Sequence, residues 1–175
     1  RQRHGHPDRA LEYYRQALAI QEEAGDRQGV IQSIDALAVG LSTQYEFEQA
    51  EALYTRALEL ARQTGSPQLV ARQLSHLGSA CLDTRDARRA VALLEESVRI
   101  DPEPNAETAA NLSAAYLAVA RNDDALKSAD RALEIAKTSA RVELRATALL
   151  QRARVLERLE RHAEALADAE RSLGV

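Results

Sequence analysis

Catalysis needs a nucleophile, a base and a group that orients them, gathered around one pocket. The single cysteine, Cys81, is a candidate thiolate. It falls at a core register of a helix, where equivalent segments carry Leu41, Tyr116 and Leu156, so it reads as a small buried hydrophobe. His4 and His6 form an H-x-H pair able to touch a metal. A protein metal site needs three or four ligands, and no third histidine or cysteine lies nearby in sequence. His76 and His162 each stand alone on a helical segment. The acid pairs Glu22-Glu23, Glu95-Glu96 and Asp123-Asp124 are sequence neighbours. Adjacent helical residues do not face each other, so these pairs read as solvated surfaces, with Asp123 an alternative helix cap. Neither G-x-x-x-x-G-K-S/T nor G-x-G-x-x-G occurs, which removes the two phosphate-cradling fingerprints. Tyr14, Tyr54 and Tyr116 sit at core registers and read as packing residues. The expectation is a protein with no catalytic residue, no cofactor and no metal.

Composition sets the class. The 175 residues are 45% hydrophobic and 29% charged, a mixture that folds. Ala, Leu, Glu and Arg dominate, all strong helix formers, while aromatics make up only 3%. A net charge of −4 lacks the basic stripe that nucleic acid requires. No apolar run approaches the roughly 20 residues needed to span a bilayer. One cysteine cannot form an intrachain disulfide, which fits a reducing cytoplasm. The chain begins at Arg1, so it is expected to be a piece of a longer protein.

The elements that position these residues repeat. An A-L/V-x-x-Y/L/A-x-x-A/S-L/V pattern begins at Ala10, Ala50, Ala90, Ala125 and Ala165. A second pattern lies between these copies: Ile34-x-x-Leu37-Ala38-x-x-Leu41, then Leu74-x-x-Leu77-Gly78-x-x-Cys81. It continues as Ala109-x-x-Leu112-Ser113-x-x-Tyr116 and Leu149-x-x-Arg152-Ala153-x-x-Leu156. Apolar residues at i, i+3, i+4 and i+7 form one helical face. Small residues in the middle (Ala38, Gly78, Ser113, Ala153) let a neighbouring helix approach closely. Helices are expected over 8–24, 27–43, 47–63, 67–83, 87–100, 105–119, 122–137, 140–158 and 162–173. Gly25 and Gly65 suit helix ends, with Asp26 and Ser66 as the following N-caps. Pro102 and Pro104 stop one helix and start the next.

These two motifs, in this order, resemble the tetratricopeptide repeat. The resemblance covers nearly the whole chain and implies an all-α, right-handed α–α superhelix of about four and a half antiparallel hairpins. A single array over 1–175 is expected, with repeat units near 8–24, 27–63, 67–100, 105–137 and 140–173. The sequence departs from the family pattern at the turn inside each hairpin. The usual glycine survives as Gly5, while Tyr45, Arg85, Ala120 and Glu160 stand at the other turns. Arg152 occupies a register where an apolar residue is expected. The spacing of about 40 residues exceeds the standard 34, so helices or loops must be longer. This long form resembles repeats of bacterial regulators and scaffolds. The first helix of the opening hairpin is missing, which should leave Leu11, Tyr14 and Leu18 partly uncovered and offers a route to homo-oligomers.

The resemblance also implies a concave binding face built from the first helix of each hairpin. The positions on that face are Gln32 and Asp35, then Arg72, His76 and Ser79, then Glu107 and Asn111, then Gln151, Arg154 and Arg158. Arg72 and Arg154 suit a carboxylate, and Asn111 suits a peptide backbone. One family subtype clamps a chaperone C-terminus with a Lys–Asn–Asn–Lys–Arg set, of which only Asn111 has a counterpart here. The expected function is protein or peptide binding on a scaffold, without nucleic acid or membrane. The alternative is the ligand- or peptide-sensing segment of a bacterial transcriptional or signalling regulator.

Overall fold

The computed structural model describes residues 7–174, and these form nine α-helices and no strand. They are α1 (Pro7–Ala24), α2 (Arg27–Thr43), α3 (Phe47–Thr64), α4 (Pro67–Asp83) and α5 (Ala87–Ile100). Then follow α6 (Ala106–Ala118), α7 (Asn122–Lys137), α8 (Val142–Arg158) and α9 (His162–Leu173). The H-x-H pair and Gly5 lie outside the described residues. Each even-numbered helix folds back on the odd-numbered helix that follows, and α1 stands before them as a lone second helix. The result is an all-α, tetratricopeptide-like solenoid.

Helix starts follow local chemistry. Asp26, Ser66, Asp86 and Asn105 each accept a hydrogen bond from the backbone N–H three residues on, at 3.0, 3.3, 3.2 and 2.8 Å. Each satisfies one of the orphan donors of a first turn. The α7 start differs from expectation. Asp123 lies inside the first turn rather than capping it, because the cap position is Arg121. Arg121 Nε instead donates to Asp124 Oδ2 at 2.8 Å.

The four turns inside the hairpins share one backbone. The N–H of Glu46 donates to Leu41 O at 3.0 Å, and the same bond recurs at Asp86, Arg121 and Arg161. The residue before each donor is left-handed: Tyr45 (φ 65°), Arg85 (65°), Ala120 (60°) and Glu160 (59°). These are the positions that lack the expected glycine. A left-handed L-residue costs roughly 1–2 kcal/mol, so the hairpin geometry prevails over the local preference at all four turns.

The long repeat is explained by long helices. α3 and α4 are joined by only Gly65 and Ser66 but run 18 and 17 residues. At the shorter step, α5 and α6 run 14 and 13 residues, with Asp101–Asn105 between them. The core follows the repeat registers. Ile34, Leu74 and Leu94 are fully buried, as is Cys81. Gly78 is required at its register, since a Cβ there would lie 2.7 Å from Leu94 Cγ.

The opening helix partly departs from expectation. Leu11 is buried, since α2 comes close enough at Gly40 to cover it. Tyr14 is 37% exposed, partly uncovered as expected, and so is not a core packing residue. Among the described residues, no helix is long and apolar enough to cross a membrane.

Candidate partner-binding groove

The first helices of the hairpins (α2, α4, α6 and α8) lie side by side and are stitched by polar contacts. Asp35 on α2 accepts from Gln73 Nε2 at 3.1 Å and lies 3.2 Å from His76 Nδ1, both on α4. Ser75 on α4 meets Thr108 on α6, hydroxyl to hydroxyl, at 2.7 Å. Gln151 Nε2 on α8 donates to Ser113 Oγ on α6 at 3.4 Å. Asp35–Gln73 and Ser75–Thr108 occupy the same pair of registers. The next rung in that register is Ala110 and Ala148, both buried, so it is apolar.

Three adjoining cavities run along these helices. The largest, about 690 Å³, lies between α2, α3 and α4 and is lined by Val39, Tyr45, Phe47, Tyr54, His76 and Asp83, among others. The second, about 320 Å³, is lined by Arg72, Ser75, His76, Asn105, Thr108 and Asn111, together with residues of α5 and the α5–α6 connection. The third, also about 320 Å³, lies between α6 and the start of α8, with Asn111, Arg141, Glu143 and Thr147 in its wall. Glu107 lines all three, so the hollows adjoin one another in a row along this face, here called the trough.

The expected site residues divide into two groups. Arg72, His76, Ser79, Glu107 and Asn111 line the trough. Gln32, Arg154 and Arg158 are exposed on α2 and α8, outside its walls. Asp35 is engaged by Gln73 and His76. Gln151 is buried, with its amide committed to Ser113, so a rigid partner would not reach it. Residues missed by helix-face reasoning come from a turn (Tyr45), a second helix (Phe47 and Tyr54) and the start of α8 (Arg141 and Glu143). The signal for Tyr45 was present in the sequence, as a bulky aromatic at a glycine position.

The electrostatics of the trough lean acidic. Burial raises the Tyr54 hydroxyl well above its ordinary pKa, and Asp35, Glu107 and Asp83 add to that effect. Partial desolvation also lifts the Asp83 carboxyl, although the residue is exposed. On the other side of the same helix, burial pushes the Cys81 thiol up to about 11, so it is no nucleophile near neutrality. No group of three metal-ligating side chains occurs among the described residues.

Tetratricopeptide repeat family models match residues 30–64 and 74–104, which hold the α2–α3 hairpin and most of the α4–α5 hairpin. Those two segments carry tetratricopeptide repeats, and the described chain as a whole has a tetratricopeptide-like fold. The tetratricopeptide array is similar in structure to the nearly identical TPR-like repeats of a Podosopora anserina protein of kinesin light chain type. The two share 21% identity at a TM-score of 0.73, over 97% of this chain and 87% of that one. It is also similar to BtubC (BKLC) from P. vanneervenii, at 21% identity and a TM-score of 0.78, over 96% of this chain and 72% of that one. MamA from Desulfovibrio magneticus RS-1 shares 12% identity at a TM-score of 0.63, over 94% of each chain. No curated protein matches the sequence.

Proposed function

We propose that this tetratricopeptide array is a non-catalytic interaction module that holds an extended segment of a partner protein along the α2–α4–α6 trough. The observation that carries the reading is the row of three adjoining hollows that meet at Glu107. Hollows set side by side along one face suit successive residues of a chain. Its walls alternate small polar groups, such as Ser79 and Asn111, with apolar and aromatic surface at Val39 and Phe47. Backbone amides of a bound segment can pair with the polar groups, while its side chains occupy the wider hollows. Concave faces of helical repeats present extended surfaces of this kind.

The test is selection of short random peptides on the immobilised chain, followed by titration of the selected peptide against Ser79→Arg/Asn111→Arg. These substitutions fill the trough without touching the buried core. Binding should weaken roughly tenfold or more in the variant, at unchanged helical circular dichroism. Equal binding by both proteins would move the site off the trough. Failure to select any peptide from a diverse library would sink the reading.

A further inference from the structure

The chain has five tyrosines and one phenylalanine, and Tyr45, Phe47 and Tyr54 all line the largest hollow of the trough. In a protein with 3% aromatic residues, that concentration calls for a physical account. Tyr54 serves the core, being 6% exposed. Tyr45 does not, since it is 80% exposed and packs edge-on to Phe47 with ring centroids 5.9 Å apart. Its left-handed backbone is shared by all four turns and so carries no weight. What distinguishes Tyr45 is a large aromatic side chain standing in solvent beside a cavity.

Two carboxylates share that cavity, Asp83 and Glu107. Among the described residues, neither lies within 4 Å of a Lys, Arg or His nitrogen. Asp83 is the last residue of α4, where a negative charge opposes the helix dipole. It therefore has no local stabilising role at that position. The imidazole in its wall, His76, is already engaged by Asp35. Arg72 lines the adjoining hollow and not this one. Aromatic rings with uncompensated carboxylates beside them attract a cation twice, through the ring quadrupole and through charge.

We propose that the α2–α3–α4 hollow receives a cationic side chain, arginine or lysine, of the segment bound in the trough. The inference rests on the trough reading above and assigns its polarity. Phe47 and Tyr45 supply the ring faces, and Asp83 and Glu107 supply the counter-charge. The bound segment is thereby expected to be basic at the end that lies over α2 and α3.

The experiment uses two fluorescent pools of random peptides of equal length, one containing Lys and Arg and one lacking both. Each is applied to the whole chain at physiological salt, where exposed charges more than ~8 Å apart are largely screened. The cation-containing pool should be retained about tenfold better. Asp83→Asn/Glu107→Gln should erase that preference, whereas Glu23→Gln/Glu170→Gln, with the same change in charge on exposed helix surface, should keep it. Phe47→Ala should weaken it at constant charge. Melting curves establish that each variant is folded. Equal retention of both pools overturns the inference and leaves the trough reading standing. Retention of neither overturns both. A preference that persists in Asp83→Asn/Glu107→Gln assigns it to the overall charge of the protein and overturns the hollow as its source.

Discussion

The hairpins α4–α5 and α8–α9 solve the same packing problem with opposite chemistry. In the first, Leu77 and Leu93, sixteen residues apart, are respectively buried and partly buried in the core. In the last, the equivalent residues are Arg152 and Asp168. Asp168 is 1% exposed and is gripped by Arg152 through Nε–Oδ2 at 2.6 Å and Nη2–Oδ1 at 2.7 Å. Arg152 Nη1 donates to Asp130 on α7 at 3.1 Å. The hydrogen bonds that Arg152 donates to Asp168 hold the guanidinium protonated, its pKa raised further above an already high value. A leucine pair tolerates rotation of one helix against the other. A bidentate ion pair does not, because both nitrogens must meet both oxygens. The last hairpin therefore gives up the tolerance of a greasy contact for a single angular setting that also ties it to α7.

That difference can be broken directly. Arg152→Leu leaves a buried carboxylate without its partner and should cost about 3–5 kcal/mol, read by urea unfolding and by faster amide exchange in α9. Arg152→Leu/Asp168→Leu, which copies the α4–α5 solution, should recover most or all of that loss. A double variant as unstable as the single one would mean that the register equivalence is wrong.

The next largest effect lies on the other side of the comparison. Gly78→Ala puts a methyl group 2.7 Å from Leu94 Cγ in a fully buried contact, and should cost about 1–3 kcal/mol. Its counterpart Ala153 already carries that methyl, so Ala153→Gly should lose helix propensity and one buried methyl group, about 1–2 kcal/mol together.

Alkaline pH separates the hairpins in another way. The register after the small residue holds Cys81 in α4 and Tyr116 in α6, but Leu156 in α8. Burial raises Cys81 to about 11. Burial, then the hydrogen bond to Glu95, raises Tyr116 to about 12. Folded pKa values above the ordinary ones mean that the native state binds more protons as pH climbs. The stabilisation is complete below about pH 9 and is lost as pH rises towards 11 for Cys81, and towards 12 for Tyr116. Amide exchange should accelerate in α4 and α6 over that window. Cys81→Val should remove the lower part of the loss.

The smallest effects are expected at the turns. Arg85→Gly, Ala120→Gly and Glu160→Gly relieve a left-handed L-residue but loosen the unfolded chain, for a net gain of about 0.5–1 kcal/mol each. Tyr45→Gly should gain less, since it also gives up the edge-on contact with Phe47. Thermal melting of the four single variants checks the order.

Much of this was legible from residue spacing alone. Five helix boundary pairs coincide with those expected from periodicity, because apolar spacing, caps and prolines are local signals. The burial of Cys81 followed from its register. The trough residues Arg72, His76, Ser79, Glu107 and Asn111 were legible as one helical face. Arg152 stood out as a misfit, but its meaning did not, because its partner Asp168 lies on the facing helix. Gln151 looked like surface in the sequence, and only the structure shows it buried with its amide on Ser113.

The sequence by itself determined the helices, their pairing and the hydrophobic registers, since each depends on residues a few positions apart. Tertiary structure alone decided what shares a wall. Tyr45 and Phe47 come from a turn and a second helix, Asp83 from the end of α4, and Glu107 from the first turn of α6. They meet because successive hairpins stack with α2, α4 and α6 side by side, joined through Asp35–Gln73 and Ser75–Thr108.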